Sequence, residues 1–258
     1  MIKLILADID GVLIENGMVN SFLKELKDKI NELREKGILF SFVSGRDYKF
    51  IDKLREKVIE KQIKKNESIL YEDVGLKLFS GEEHVLGGVE KRILEKLNSF
   101  HKEYQKIFTG LVPLPNNNFQ LRYSWVTEEF AQGKDTNLKI LEEKYPKIKN
   151  LLKSKFPNIE IKKSADAIDV VGKGCDKIIS VKKYLEILED KGISQKDVLI
   201  IGDSESDKKM LEYILENGGK AGFVGDNKNL EDNLKNKGAY ISKQKGMKGT
   251  LEILKNFS

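Results

Sequence analysis

Two aspartates one residue apart, Asp8 and Asp10, carry the first chemical signal, in the run Asp8-Ile9-Asp10-Gly11-Val12-Leu13. In an extended chain their side chains project to the same side, because side chains alternate. Carboxylates that close repel each other unless a cation lies between them or one keeps its proton. The pair suits a reaction in which one carboxylate attacks phosphorus and the other manages protons. Gly11 lets the chain bend sharply away and leave both groups exposed. The plain alternative is a polar turn after a strand.

Three further clusters fit the same chemistry. Ser44-Gly45-Arg46 offers a hydroxyl, a permissive glycine and the amides of a helix start, a cradle for phosphate oxygens; equally, Ser44 is a simple helix N-cap. Gly174-Cys175-Asp176-Lys177 opens a helix. A lysine there is slightly disfavoured by the helix dipole, and neutralising phosphate and nearby carboxylates would justify it. Cys175 reads as a small packing residue, since nothing near it in sequence supplies a base. Gly202-Asp203-Ser204-Glu205-Ser206-Asp207 places two carboxylates about one turn apart, with Ser204 and Asp207 as a capping-box pair. Hard oxygen ligands of this kind, completed by water and phosphate, are what Mg²⁺ prefers.

The elements that position these clusters are legible in the hydrophobic pattern. Ile2 to Ala7 and Ile38 to Val43 are near-continuous apolar runs, as expected for strands buried on both faces. Helical spacing in Phe22, Leu23, Leu26, Ile30 and Leu33, and a second helix from Tyr48 to Ile63, give a strand–helix–strand–helix opening. Short strands are expected at Ile69–Tyr71 and Leu76–Phe79. The last third repeats the rhythm, with helices around Ile178–Leu188, Lys208–Leu215, Leu230–Leu234 and Met247–Phe257, and strands at Val198–Ile201, Ala221–Val224 and Ala239–Ile241. Three clusters therefore follow strand ends, where open α/β sheets bind their ligands, and the fourth opens a helix in the same layer.

Between these sections the grammar changes. A helix near Val89–Tyr104 precedes extended runs at Ile107–Val112 and Phe119–Val126, joined by the turn Pro113-Leu-Pro-Asn-Asn-Asn118. A second helix, Thr136–Phe156, precedes strands at Ile159–Lys163 and Ala167–Val171. The pattern predicts a small antiparallel sheet backed by two helices, inserted into the α/β core with junctions near Gly81 and Gly172. Arg122 on one of these strands is a candidate substrate contact.

The 258 residues carry 46 basic and 41 acidic side chains, for a net charge of +5. The two signs are interleaved, which fits solvated helix faces and argues against nucleic-acid binding. A single cysteine excludes an intrachain disulfide. The N-terminus does not read as a signal peptide, and no stretch approaches the roughly 20 apolar residues of a membrane span. A cytoplasmic protein without nucleic-acid or membrane partners is expected.

In this order the four clusters resemble the motifs of the haloacid dehalogenase superfamily of phosphatases and phosphomutases, over the whole chain. The insertion between the second and third motifs resembles the type IIB cap of Cof-like, sucrose-phosphate, trehalose-phosphate and mannosyl-phosphoglycerate phosphatases. The tail Gly246-Met-Lys-Gly-Thr-Leu-Glu-Ile-Leu254 also resembles the end of such proteins, although Ser206 stands where many Cof-like members have Asn. The resemblance implies a Rossmann-like parallel-sheet core, residues 1–81 and 172–258, with an inserted α+β cap domain, residues 82–171. It implies Asp8 as nucleophile and Asp10 as general acid and then base. Ser44 and Lys177 would hold the phosphoryl group, beside Gly45 and Arg46 of the cradle. Asp8, the Asp10 carbonyl, Asp203 and Asp207 would bind Mg²⁺. The expected activity is hydrolysis of a phosphomonoester, a sugar phosphate or similar small metabolite. A phosphomutase and a non-catalytic phospho-ligand sensor are the alternatives.

Overall fold

A computed structural model describes residues 1–15, 23–59, 63–104, 106–108, 111–113, 119–125, 136–163 and 167–257. The chain divides into two compact units, Met1–Leu86 with Asp176–Ser258, and Gly87–Cys175.

The larger unit is an eight-stranded sheet in the order β12-β11-β10-β1-β2-β3-β4-β5. In chain order its strands are β1 (Leu4–Ala7), β2 (Leu39–Val43), β3 (Ser68–Tyr71), β4 (Gly75–Leu78), β5 (Glu83–Val85), β10 (Val198–Gly202), β11 (Lys220–Phe223) and β12 (Tyr240–Ile241). The strands from β12 to β3 are parallel, and at one edge β4 pairs antiparallel with β3 and β5 antiparallel with β4. Every residue of β1, β2 and β10 is buried, which is why these strands read as near-continuous apolar runs. Each such Leu or Ile contributes roughly 1.5–3 kcal/mol of burial.

Alternation sends Leu4, Leu6, Val198 and Ile200 into one core with Val181, Tyr184 and Leu188 of α5 (Lys177–Glu189), Met210 and Ile214 of α6 (Lys208–Glu216), and Leu234 of α7 (Lys228–Asn236). Elsewhere α8 (Gly246–Asn256) lies so close to β11 that a Cβ on Gly222 would meet Ile253 at 2.7 Å, and α8 packs in turn on α1 (Lys24–Glu35). Helix α2 (Tyr48–Val58) completes the first crossover pair. Burial also fixes α5 through a polar pin. The Tyr184 hydroxyl donates to the Asn66 carbonyl and lies 2.9 Å from the Ser41 hydroxyl.

The smaller unit is a four-stranded antiparallel sheet in the order β6-β7-β9-β8: Leu111–Pro113, Leu121–Trp125, Ala167–Gly172 and Ile159–Lys163. Leu97 and Phe100 of α3 (Lys91–Glu103) and Ile148 and Leu152 of α4 (Thr136–Lys155) share its core with Tyr123, Ile161 and Val170.

Several boundaries differ from those read in the sequence. Residues 107 and 108 are not strand: their amides bond the Tyr104 carbonyl in the turn that leaves α3, and Phe108 is buried against Tyr123. The turn residues 114–118 lie outside the described residues. Gly81 does not end the larger unit, because β5 pairs with β4 beyond it. At the second junction the smaller unit runs on past Gly172. Cys175 accepts a hydrogen bond from Gly88 N–H at 3.1 Å, and a Cβ on Gly172 would meet the Gly88 carbonyl oxygen at 2.4 Å.

Candidate active site

The sheet order makes neighbours of residues far apart in sequence. β1 lies between β10 and β2, with Ala7 level with Ile201 on one side and Phe42 on the other. The loops leaving these three strands carry Asp8, Ser44 and Asp203, all at their carboxyl ends. Asp8 N–H bonds the Ile201 carbonyl at 3.0 Å, so the first loop starts pinned to β10.

Gly11 is required there twice over. Its φ is +74°, a left-handed value that favours glycine, and a Cβ would stand 2.2 Å from Asp203 Oδ2. The buried Thr250 hydroxyl donates to the Val12 carbonyl at 2.8 Å, which gives the C-terminal tail a physical role in holding this loop. Gly225, in the Gly-Asp-Asn run after β11, is likewise a packing position: a Cβ would meet the Asp203 carbonyl oxygen at 1.7 Å.

Lys177, the first residue of α5, is buried between two carboxylates. Its Nζ lies 2.9 Å from Asp8 Oδ1 and 2.8 Å from Asp207 Oδ1. Asp207 is fully buried, and its other oxygen accepts from Asp203 N–H (2.9 Å), Ser204 N–H (3.0 Å) and the Ser204 hydroxyl (3.2 Å). Three donors crowd Oδ2, while Lys177 takes Oδ1. Asp207 is thus the anchor that holds Lys177 and curls the loop. Ser204 does not cap the helix as a full capping box would, since its hydroxyl points at Asp207 Oδ2 and α6 begins only at Lys208. Ser206 bonds Ser204 through their hydroxyls at 2.9 Å.

The electrostatics follow from burial and crowding. Burial first, then the charge of Asp207, pushes Asp8 up to about 8 despite Lys177. Burial, Asp207 and Asp8 push Asp203 up to about 9. Burial works against the Asp207 carboxylate too, but Lys177 and the backbone donors outweigh it and hold that group below the usual carboxylate range. For Lys177, burial disfavours the ammonium, yet Asp207, Asp8 and Asp73 together raise it well above its ordinary value. Asp8, Asp203 and Asp207 each offer an oxygen within 4.8 Å of the others. Three carboxylates so close, two of them resisting ionisation, form an all-oxygen donor set that fits a hard divalent cation.

Ser44 is buried, and its Oγ accepts from Arg46 N–H at 3.1 Å. It is not the N-cap of α2; Asp47 is, accepting from Phe50 N–H at 3.1 Å. The Arg46 guanidinium donates through Nε and Nη2 to the two oxygens of Asp10, each at 2.8 Å. Asp8 and Asp10 are thus paired with different cations. Arg122 lies on β7 opposite Asp169, and its side chain is outside the described part of the structure.

Sequence reasoning missed Glu72 and Asp73. Both are non-glycine residues at positive φ, +47° and +63°, in the tight β3–β4 turn. Glu72 N–H bonds the Arg46 carbonyl at 3.0 Å and Asp73 N–H the Ser44 carbonyl at 3.4 Å, so this turn buttresses the 44–46 loop. Such turns favour Asn-Gly, so Glu-Asp lacked the usual signature.

Among the described residues no helix is long and apolar enough to cross a membrane. Residues 5–71 and 90–252 match the family model of haloacid dehalogenase-like hydrolases. A phosphoglycolate phosphatase of Saccharolobus solfataricus is 26% identical over 256 residues, covering 98% of this chain and 95% of the relative. Among solved structures, a haloacid dehalogenase-like hydrolase from Bacteroides thetaiotaomicron superposes with a TM-score of 0.73 at 16% identity, covering 100% of both chains. The sucrose-phosphatase of Synechocystis, in complex with sucrose and phosphate, gives 0.58 at 14% identity, covering 100% of this chain and 98% of that one. The chain belongs to the haloacid dehalogenase-like hydrolases, with the insertion between second and third motifs that marks type IIB.

Proposed function

We propose that this phosphatase is a Mg²⁺-dependent phosphomonoester hydrolase that works through a phosphorylated Asp8. The observation that carries the reading is the position of Lys177, 2.9 Å from Asp8 and 2.8 Å from Asp207 in a buried acidic cluster. A nucleophilic carboxylate must stay ionised, and burial and Asp207 push Asp8 up to about 8 even with Lys177 beside it, so a further cation is needed at neutral pH. Mg²⁺, held by Asp8, the Asp10 carbonyl and Asp203 with Asp207 behind them, would supply the remaining charge and offset that of the phosphoryl oxygens.

In the first half-reaction an Asp8 oxygen attacks phosphorus, and the bond from phosphorus to the leaving oxygen breaks as Asp10 gives that oxygen a proton. Lys177 and the Ser44–Gly45 cradle hold the phosphoryl oxygens. In the second, Asp10 takes a proton from water, whose oxygen attacks the same phosphorus. Inorganic phosphate leaves and Asp8 is restored.

The substrate class is a small phosphorylated metabolite. The phosphoglycolate phosphatase relative makes phosphoglycolate the first compound to try, with sugar phosphates beside it. The test is phosphate release from a panel of phosphomonoesters, with Mg²⁺ and with a chelator, alongside Asp8→Asn. Release that needs Mg²⁺ and vanishes in a folded variant is expected. Full activity in Asp8→Asn would remove the nucleophile assignment, and an isomerised product without free phosphate would make the protein a mutase.

A further inference from the structure

The proton-transfer residue of this reaction is far more exposed than the nucleophile. The Asp10 side chain is 42% exposed and that of Asp8 only 6%. Packing therefore does not aim the Asp10 carboxylate, and an unrestrained carboxylate would sweep through orientations of which few face a leaving oxygen. The contact that restrains it is Arg46. Two parallel bonds of 2.8 Å, Nε to Oδ2 and Nη2 to Oδ1, fix the plane of the carboxylate, which one bond could not do. They use one lone-pair direction on each oxygen and leave another for the proton in transit.

Arg46 is itself held from several sides. Its N–H is bonded to Ser44 Oγ at 3.1 Å and its carbonyl to Glu72 N–H at 3.0 Å. Its guanidinium carbon lies 4.5 Å from the centroid of the Phe50 ring, and the Phe50 N–H is fixed by the Asp47 cap of α2. The Glu72–Asp73 turn thus holds the Arg46 backbone, while the ring of Phe50, on the capped helix, holds the guanidinium.

We propose that Arg46 is a positioning residue that aims Asp10 at the leaving-group oxygen, and that it is not a ligand of the transferred phosphate. The inference rests on the phosphatase reading with Asp10 as proton donor. It separates from phosphate binding through the leaving group: an alkyl ester needs a proton as its oxygen departs, whereas p-nitrophenolate leaves without one.

The experiment compares kcat/KM, which reports the steps up to leaving-group departure, for glycerol 2-phosphate and p-nitrophenyl phosphate. It uses the wild type, Arg46→Met, Arg46→Lys, Asp10→Asn and Arg46→Met with Asp10→Asn, each checked for folding by circular dichroism. Arg46→Met should lower kcat/KM about 10²-fold or more on the alkyl ester and less than tenfold on the aryl ester, within the range of a general acid's contribution. Inhibition by inorganic phosphate should move by less than about threefold, and the double variant should lose little beyond Asp10→Asn. Arg46→Lys keeps the charge without the fork, and should show the same selective loss in weaker form. Equal losses on both esters, with phosphate inhibition weakened in parallel, would overturn the inference and make Arg46 a phosphate ligand. A wild type that hydrolyses neither these esters nor any other phosphomonoester of the panel would defeat the phosphatase reading itself, and this inference with it.

Discussion

Replacing Lys177 by Met tests whether the charge balance of the buried cluster is what the contacts indicate. Lys177 Nζ is 2.9 Å from Asp8 and 2.8 Å from Asp207. At an effective dielectric of about 20, each contact is worth roughly 5–6 kcal/mol of Coulomb attraction, most of which desolvation offsets. Removing one partner of a buried pair leaves a net cost of about 3–5 kcal/mol, because the carboxylates stay buried without compensation. They can escape only by taking up protons. Asp207, which Lys177 holds below the usual carboxylate range, would then bind a proton in the folded variant at pH values where the unfolded chain has none. The folded variant therefore binds more protons than the unfolded chain, and its stability falls as pH rises. The gap to the wild type should be small near pH 5 and widest near pH 9. At about 2–4 °C per kcal/mol for a chain of this size, the melting point in chelator should drop by roughly 6–20 °C at pH 9. Thermal melts followed by circular dichroism at the two pH values measure this. Mg²⁺ should recover more stability in the variant than in the wild type, since the variant's cluster carries one more uncompensated negative charge. Equal melting points at pH 9 without metal would refute the argument.

Two further outcomes are expected. Mg²⁺ must displace protons from Asp8, at about 8, and Asp203, at about 9, so its affinity should rise between pH 6 and 9 with proton release on binding; calorimetric titration in buffers of different ionisation enthalpy measures this, and a pH-independent affinity would contradict it. Gly11→Ala forces a Cβ to within 2.2 Å of Asp203 Oδ2 and should weaken Mg²⁺-dependent activity by about 10–100-fold. Gly37→Ala, at φ +96° with open space around it, is the control that suffers only the backbone cost.

The parallel core was legible because β1, β2 and β10 are buried on both faces, which leaves a continuous apolar run ending where the chemistry begins. The edge strand β5 was not, since Glu83-His84-Val85 is half exposed and carries no apolar pattern. Residues 107–108 misled because a buried Phe in a helix exit resembles the start of a strand. At the site, the residue types pointed to their strand ends, but the pairings did not follow from them. Nothing in Gly202–Asp207 says that Asp207 faces inward to Lys177 while Asp203 lies against Gly11. Nor does Ser44-Gly45-Arg46 say that its arginine reaches across to Asp10, or that Asp47, one residue on, is the true cap. The cap is a local choice, but the ion pairs are made across 30 or more positions, as between Arg46 and Asp10, which stand 36 apart.

The pairing of Leu4 with Val198 has a consequence for how the protein is made. Strand β1 leaves the ribosome well before its β10 partner, which follows only after the whole inserted segment, a wait of roughly 10–40 s at about 5–20 residues per second. During that wait β1 presents an apolar strand with an open edge, a template for wrong pairing and a natural client for chaperones. The inserted segment, contiguous and with its own core, can fold in the meantime. Asp8 meets Lys177 only after roughly 170 further residues have been made, so its buried ion pair is among the last contacts of the larger unit to form.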